Sequence, residues 1–345
     1  MRIVHAVRSD GFAGVERHVA TLARAQAGQG DEVVVVGGDT PRMRAATGTA
    51  HPVRILPGAT TAHVVRALLA VAPGADVVHV HMTAAETAAS LATLVRRRVG
   101  PVVSTRHFAR PRGTGRLGPV VAAVARRPVV AQLAISRSVA EAVDGPCTVV
   151  HPGVEDRGPS PAAAEREPVV LVAQRLEEEK RTDLALRAFA AARLGDAGWR
   201  LDLAGDGAQR ARLESLAATL GIGAHVRFLG RRDDVDALMR RASLLLAPCP
   251  VEGLGLSVLE AMASGLPVVA ASAGGHVELL DGLDPAALYD PPDPGAAGAA
   301  LAALAAAPAR RDALARAARE RQTGAFSTAA WLAGTTAAYR RVLDA

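Results

Sequence analysis

Short β-like runs alternate with helix-like stretches along this chain in two series, and the break between the series falls in a stretch of Pro, Gly, Ala and charge. In the first half, residues 2–7, 32–36, 76–81, 101–105, 129–135 and 148–151 read as strands, with helices at 15–27, 61–71, 84–97 and 136–143. A strand followed by a helix must be carried back before it can pair, so this order predicts a parallel sheet covered on both faces. Residues 152–168 hold Pro152, Pro159, Pro161 and Pro168, which read as excluding regular structure and marking an interdomain linker. The second half repeats the alternation, with strands at 169–173, 200–204, 226–229, 244–247 and 267–271. The expectation is an α/β chain of two doubly wound domains, 1–155 and 169–322, joined by a linker at 156–168. Residues 295–321 are alanine-rich but keep Leu and Ala at helical spacing, which predicts helices rather than disorder. A last segment, 323–345, reads as a helix that packs back towards the N-terminal domain; it carries Trp331 and Tyr339, and nothing in it looks catalytic.

A chain of 345 residues can bury two cores. Aromatic residues make up only 3% of it, so the interior must be built from Ala, Val and Leu, and base stacking on nucleic acid is not indicated. The charge is uneven: residues 1–157 hold 19 arginines against 11 acids, whereas the remainder holds 21 basic against 23 acidic residues. In the basic half, Arg96, Arg97, Arg98, Arg110, Arg112, Arg116, Arg126 and Arg127 cluster in sequence. They read either as solvated helix ends or as a surface for an anionic acceptor or a membrane bearing anionic lipid. Cys147 and Cys249 are too few for a disulfide framework or a zinc site. No run reaches the roughly 18 apolar residues of a membrane span, and Met1 leads directly into a strand pattern. A cytoplasmic protein is expected, either free or peripheral to the inner face of the membrane.

Two segments carry the chemistry. In Glu252-Gly253-Leu254-Gly255-Leu256-Ser257-Val258-Leu259-Glu260, a loop with two glycines leads into a helix whose free N–H groups favour an anion. Glu252 stays in the loop and Glu260 lies about one turn inside the helix, so two carboxylates can hold hydroxyl groups at opposite ends of one phosphate-containing ligand. Upstream, Arg175 and Lys180 follow the strand at 169–173, at the strand end where open α/β sheets bind ligands. Lys180 is the single lysine among 40 basic residues. A compact ammonium can nest against a diphosphate in a way that a guanidinium fork does not reproduce. His79 and His81 fall on one face of a strand with no third ligand at metal-site spacing, and a packed or cleft-lining role is expected for them rather than a metal. Asp234 and Asp236 sit at a helix start, where capping explains them.

With these residues in place the sequence resembles the retaining nucleotide-sugar glycosyltransferases of family 4. Its strongest segment is 248–278, which includes Gly265, Pro267, Gly274, Gly275 and Glu278 beside the run above. The resemblance implies the GT-B fold, in which two Rossmann-like domains face an interdomain cleft. It implies Arg175 and Lys180 on the diphosphate as electrostatic catalysts, Glu260 on the ribose and Glu252 on the donor sugar. Gly253, Leu254, Gly255 and Leu256 would present backbone N–H groups. Gly205 matches the family's turn after the second strand of the C-terminal domain, and Leu229 the strand end near the base. In the N-terminal half, Gly14 matches one of a family glycine pair whose other member is Ala13 here, and His107 matches a strand-end histidine that reaches the donor sugar. Leu254 stands where the family often has Phe, and the linker begins His151-Pro152-Gly153-Val154 where Asn-Gly is common. The implied partner is a nucleoside-diphosphate sugar, with neither metal nor other cofactor. The acceptor, whether a small metabolite, a lipid-linked molecule or a polysaccharide precursor, is not encoded in any readable motif. A GT-B epimerase or phosphorylase, or a non-catalytic nucleotide-sugar binder, is the alternative.

Overall fold

A computed structural model describes residues 1–96, 99–113 and 116–345, so Arg97 and Arg98 of the basic cluster lie outside the described residues. The chain forms two compact units, Met1–Pro152 with Thr328–Ala345, and Gly153–Ser327.

The first unit runs β1 (Arg2–Val7), α1 (Gly14–Gly28), β2 (Glu32–Val36), α2 (Thr40–Thr47), β3 (Val53–Leu56), α3 (Thr61–Val71), β4 (Val77–His81), α4 (Thr83–Val95), β5 (Val102–Arg106), α5 (Gly118–Arg126), β6 (Val129–Ala134), α6 (Arg137–Ala142) and β7 (Thr148–Val149). Its sheet is parallel, in the order β3-β2-β1-β4-β5-β6-β7, so the order reverses between β1 and β4. Both faces are covered by small aliphatic residues. Ala85, Ala88, Ala89 and Ala92 recur at helical spacing along α4 and pack with Val4, Val78 and Val80 of the sheet. The last helix, α14 (Thr328–Leu343), belongs to this unit: Trp331, Leu332, Ala338 and Tyr339 complete a core with Ile3, Leu22, Val77 and Val103.

The second unit runs β8 (Glu167–Ala173), α7 (Thr182–Ala191), β9 (Arg200–Ala204), α8 (Arg210–Thr219), β10 (Val226–Gly230), α9 (Val235–Arg241), β11 (Ala242–Ala247), α10 (Leu256–Ala263), β12 (Val268–Ala271), α11 (Gly275–Leu280), β13 (Leu288–Tyr289), α12 (Pro294–Ala305) and α13 (Pro308–Ala325). Here the parallel order is β10-β9-β8-β11-β12-β13, and it reverses between β8 and β11.

The stretch read as a linker is part of the second unit. Val154 bridges to Ser327, residues 163–165 form a 3-10 turn, and β8 starts at Glu167 with Pro168 inside it. Pro168 is tolerated because it falls where the β8–β11 register shifts, between the pairs Glu167–Ala242 and Val170–Leu244, so the ladder asks for no N–H there. Asp234 also departs from expectation. It occupies the N-cap of α9, but its carboxylate makes no cap bond and instead pairs with Arg232 at 2.6 Å.

Arg166 ties this segment to the sheet. Its buried guanidinium donates to the carbonyls of Met239, Ala242 and Gly265 at 2.8 to 2.9 Å, and to the Ser160 hydroxyl at 2.9 Å. These acceptors close α9, open β11 and end α10, so one side chain satisfies carbonyls that the helix ends leave over. Arg166→Ala would leave several buried carbonyls without donors and lower stability by about 3 kcal/mol. Arg166→Lys, with three donors on a single nitrogen, would recover only part of that. Urea unfolding of the purified variants checks both; equal midpoints for wild type and Arg166→Ala would refute the role.

Candidate functional site

In the second unit the loops after β8 and β11 lie side by side at the carboxyl edge of the sheet, at the point where the strand order reverses. The first carries Arg175 and Lys180, the second Glu252 to Gly255. Lys180 and Glu252, 72 residues apart in sequence, are joined by an ion pair of 2.6 Å, Nζ to Oε2. Both side chains are about four-fifths covered. Burial alone would push the Glu252 carboxyl up; the Lys180 ammonium outweighs it, and the carboxyl is held below its ordinary range. Glu252 is therefore a carboxylate, able only to accept hydrogen bonds.

Lys180 is held from below as well. The Gln174 amide donates to the Lys180 carbonyl at 2.8 Å and to the Thr182 hydroxyl at 3.0 Å. The next residue, Arg181, takes the left-handed conformation at φ 52°, which a residue with a side chain adopts only where its surroundings require it. Arg175 differs from Lys180: its side chain is 59% exposed and pairs with Glu179 at 2.9 Å, four residues on. The two predicted cations thus stand on one loop, one fixed and one at the surface.

Gly255 caps α10 with φ 99°, and a Cβ there would come 2.7 Å from the His276 ring, so the turn into the helix is open to glycine alone. The neighbouring loop closes on the same turn: the Gly275 N–H donates to the Glu252 carbonyl at 3.1 Å, and a Cβ at Gly275 would lie 2.2 Å from the Leu254 Cα. Gly253, Leu254 and Gly255 are buried, and Leu256 begins α10, whose first turn leaves N–H groups without intrahelical partners. Glu260 lies one turn inside α10 and is 9% exposed. Gly205, at the end of β9, donates its N–H to the Gly230 carbonyl at 2.8 Å and backs onto Gln174, which seats the Arg175 loop. Leu229 lies one strand further out, half-buried on β10.

Gln174 and His276 were missed in the sequence. The buried His276 donates from Nδ1 to the Ala271 carbonyl at 3.1 Å, which leaves Nε2 as an acceptor beneath Gly255. Burial lowers its pKa below the ordinary value. Its position directly after the glycine pair was the available signal.

In the first unit Gly14 opens α1 at the surface, and the carboxylate of Glu16 accepts from the Ala13 N–H at 2.8 Å, which gives half of a capping box. His107 follows β5 and is buried. It does not stand alone. The sequence shows no third ligand for His79 and His81 at metal-site spacing, but the fold supplies neighbours: nitrogens of His5, His79 and His81 lie within 4.8 Å of one another, as do those of His18, His81 and His107. The reason is topological, because β1, β4 and β5 are adjacent and bring together positions that no sequence spacing relates.

Four of these histidines and three other groups form one hydrogen-bonded chain. A neutral imidazole has one donor and one acceptor, so each bond fixes the next. The Gln26 carbonyl oxygen accepts from His5 Nε2 at 2.7 Å, His5 Nδ1 accepts from His81 Nε2 at 3.1 Å, and His81 Nδ1 accepts from His107 Nε2 at 3.1 Å. In the other direction the Gln26 amide donates to the Tyr339 hydroxyl at 3.3 Å, Tyr339 donates to His79 Nδ1 at 2.6 Å, and His79 Nε2 donates to the Thr105 hydroxyl at 2.6 Å. Each of these six bonds joins one donor to one acceptor, and His107 keeps an Nδ1 lone pair. A metal ion at His5, His79 and His81 would have to replace bonds that already use both nitrogens of each ring. Tyr339 of the last helix completes this network.

Three comparisons bear on these two sites. The family described as "Glycosyl transferases group 1" matches residues 155–321, and "Glycosyltransferase Family 4" matches residues 12–157. The D-inositol 3-phosphate glycosyltransferase of Salinispora arenicola (strain CNS-205) is 37% identical over 40% of this chain and 39% of its own length. Putative glycosyltransferase EpsD of Bacillus subtilis (strain 168) is 41% identical over 24% of this chain and 21% of its own. The chain thus spans about two-fifths or less of the length of these relatives. Among solved structures, Anabaena Alr3699/HepE in complex with UDP-glucose superposes with a TM-score of 0.79 at 20% identity, covering 100% of this chain and 99% of that one. Sucrose-phosphate synthase from Thermosynechococcus elongatus superposes at 0.76 and 20% identity, covering 100% of each. The fold is that of the GT-B proteins, with two Rossmann-like domains.

The histidine chain makes stability depend on pH. Burial pulls His5 down to about 4, and burial with the Arg106 guanidinium alongside pulls His107 down to about 3. Burial, followed by repulsion from neighbouring histidines, holds His18, His79 and His81 well below their ordinary value. The unfolded chain takes up these protons near pH 6.5 and the folded one refuses them, so stability is complete above about pH 7 and falls as pH drops from 6.5 towards 4. Urea midpoints across that range should decline with an uptake of more than one proton on unfolding; a flat profile would contradict a neutral chain.

Proposed function

The chain belongs to the glycosyltransferases of family 4, and from that premise we propose that it moves a sugar from a nucleoside-diphosphate sugar to an acceptor hydroxyl, with retention at the anomeric carbon. The observation that carries the reading is the Lys180–Glu252 pair, which joins the two loops at the strand-order reversal beside the first turn of α10. An ammonium has three donors, so Lys180 can keep Glu252 and still donate to a diphosphate. Arg175, exposed and paired with Glu179 on the same loop, can turn to the same phosphates. When the glycosidic C–O bond breaks, its electron pair passes to the departing phosphate oxygen, and cations already in place stabilise that growing charge. The first-turn N–H groups of α10 add to this without reorganising.

In the same reading Glu252, kept as a carboxylate, accepts from hydroxyls of the donor sugar, and Glu260 accepts from the ribose. Gly205 and Leu229 border the nucleotide end. Lys180 and Arg175 supply the countercharge that a diphosphate needs, and no metal or other cofactor forms part of the proposal. Uracil is the base to try first, since Anabaena Alr3699/HepE is seen with UDP-glucose.

Thermal-shift titration with UDP, GDP, TDP and ADP and their sugar conjugates tests the donor site. One nucleotide series at a hundred times its Kd should stabilise the wild type by about 2.7 kcal/mol. Lys180→Ala and Glu260→Ala should abolish the shift, and Lys180→Ala should lower turnover about 100- to 1,000-fold where an acceptor is found. If no nucleotide stabilises the protein, the proposal fails. If Lys180→Ala weakens affinity in a protein that turns over none of the donors, the chain is a binder instead.

A further inference from the structure

The five buried histidines of the first unit are not equivalent. His5, His79 and His81 are at most 1% exposed, whereas His18 on α1 and His107 after β5 are 5% and 6% exposed. His18, His81 and His107 thus form the outer of the two triads, the one an ion from solvent meets first. His18 stands outside the hydrogen-bonded chain described above. Its ring packs against that of His107 at 4.6 Å and that of Trp331 at 4.5 Å, centre to centre.

Three imidazoles that share a tetrahedral ion, each nitrogen about 2 Å from it, have ring centres about 5 Å apart. The centres here are separated by 5.6 Å (His18 to His81), 4.6 Å (His18 to His107) and 5.4 Å (His81 to His107). The arrangement of protons fits as well. His81 turns its Nδ1 lone pair towards His107 and donates from Nε2 to His5, whose own Nε2 donates to Gln26 at 2.7 Å. A ligating histidine is ordinarily held by such an acceptor on its second nitrogen. One bond gives way, the 3.1 Å contact of His107 Nε2 with His81 Nδ1, and His107 then carries its proton on Nδ1. The inner triad fits less well, since Tyr339 and Thr105 take both nitrogens of His79 at 2.6 Å. Arg106, next to His107 in sequence, is paired with Asp144 at 3.0 Å, which offsets its charge.

We propose that His18, His81 and His107 bind one Zn²⁺ ion through three neutral imidazoles, with the fourth position open to water or a small ligand. Three nitrogen donors in tetrahedral array suit zinc, whereas Mg²⁺ and Ca²⁺ require oxygen. The ion ties α1 to the carboxyl ends of β4 and β5. It also reverses the character of His107. Nδ1 of that ring accepts a hydrogen bond in the metal-free chain and donates one when Nε2 ligates. Zinc therefore acts here as a regulator of the first unit, and the inference does not depend on the donor reading of Lys180 and Glu252.

The test takes the full chain, stripped with a chelator, and titrates it with Zn²⁺ and with Co²⁺, whose visible spectrum reports coordination number. The wild type should take up one ion per chain, show the intense bands of four-coordinate cobalt, and melt at a higher temperature with Zn²⁺ than without. His18→Phe keeps a ring against Trp331 and removes one ligand. Binding should weaken at least about 100-fold, beyond the loss expected for an outer partner. His107→Gln should do the same, and the zinc-dependent rise in melting temperature should vanish in both. His79→Gln, which alters the inner triad alone, should keep the uptake and the cobalt bands. Circular dichroism of the metal-free variants separates lost binding from lost folding, and the wild-type cobalt spectrum decides even where a variant does not fold. No stoichiometric uptake, or a six-coordinate cobalt spectrum, overturns the proposal. So does uptake that His18→Phe and His107→Gln leave unchanged, which would place the ion on exposed histidines. Uptake lost in His79→Gln but kept in His18→Phe would place it in the inner triad and overturn the proposal equally.

Discussion

In a parallel sheet each connection must return to the edge from which its strand began, so every strand ends at the same side. That constraint organises both units. Where the strand order reverses, consecutive helices diverge to opposite faces and leave room between two loops. At β8 and β11 the room lies between the loop of Lys180 and the loop of Glu252, and the ion pair of 2.6 Å spans it. At β1 and β4 the same arithmetic brings His5 against His79, with β5 supplying Thr105 and His107 alongside.

Buried cations and buried histidines are treated in different ways. In the second unit, charge is kept and satisfied: Arg166 is enclosed by carbonyls and a hydroxyl, and Lys180 meets a carboxylate. In the first unit, the pair of Arg112 with Glu86 is kept, but the histidines give up their protons and are satisfied as neutral rings. Burial explains the difference. A guanidinium cannot shed its proton near neutral pH and must find acceptors, while an imidazole sheds its own for little and becomes both donor and acceptor.

Much of this was legible in the sequence where a local pattern carried it. Strands such as β1, β2 and β9 are rich in Val, Leu, Ile and Ala, and their bounds follow from composition. The edge strands β3 and β13 were not, because β3 has one buried residue in four and β13 has two residues in all. Glu252 and Glu260 stood out because they flank a loop with two glycines, and Arg175 and Lys180 because they follow a strand end and Lys180 is the single lysine. That Lys180 and Glu252 bond to each other, or that His5 and Tyr339 flank His79, depends on strand order, which no spacing along the chain encodes. Pro168 misled for a related reason: proline breaks a strand only where the ladder needs its N–H, and the register shift at that point removes the need.

The polarity of the histidine chain has a further consequence. Because each ring's single proton is committed, no ring can turn over by itself without leaving two donors facing each other and two acceptors likewise. The rings between His107 and Thr105 therefore act as one mechanical piece, locked at the far side by a phenol on the last helix. The orientation of the imidazole at the end of β5 is thus set by residue 339, near the end of the chain, and an edit there would reach His107 without touching it.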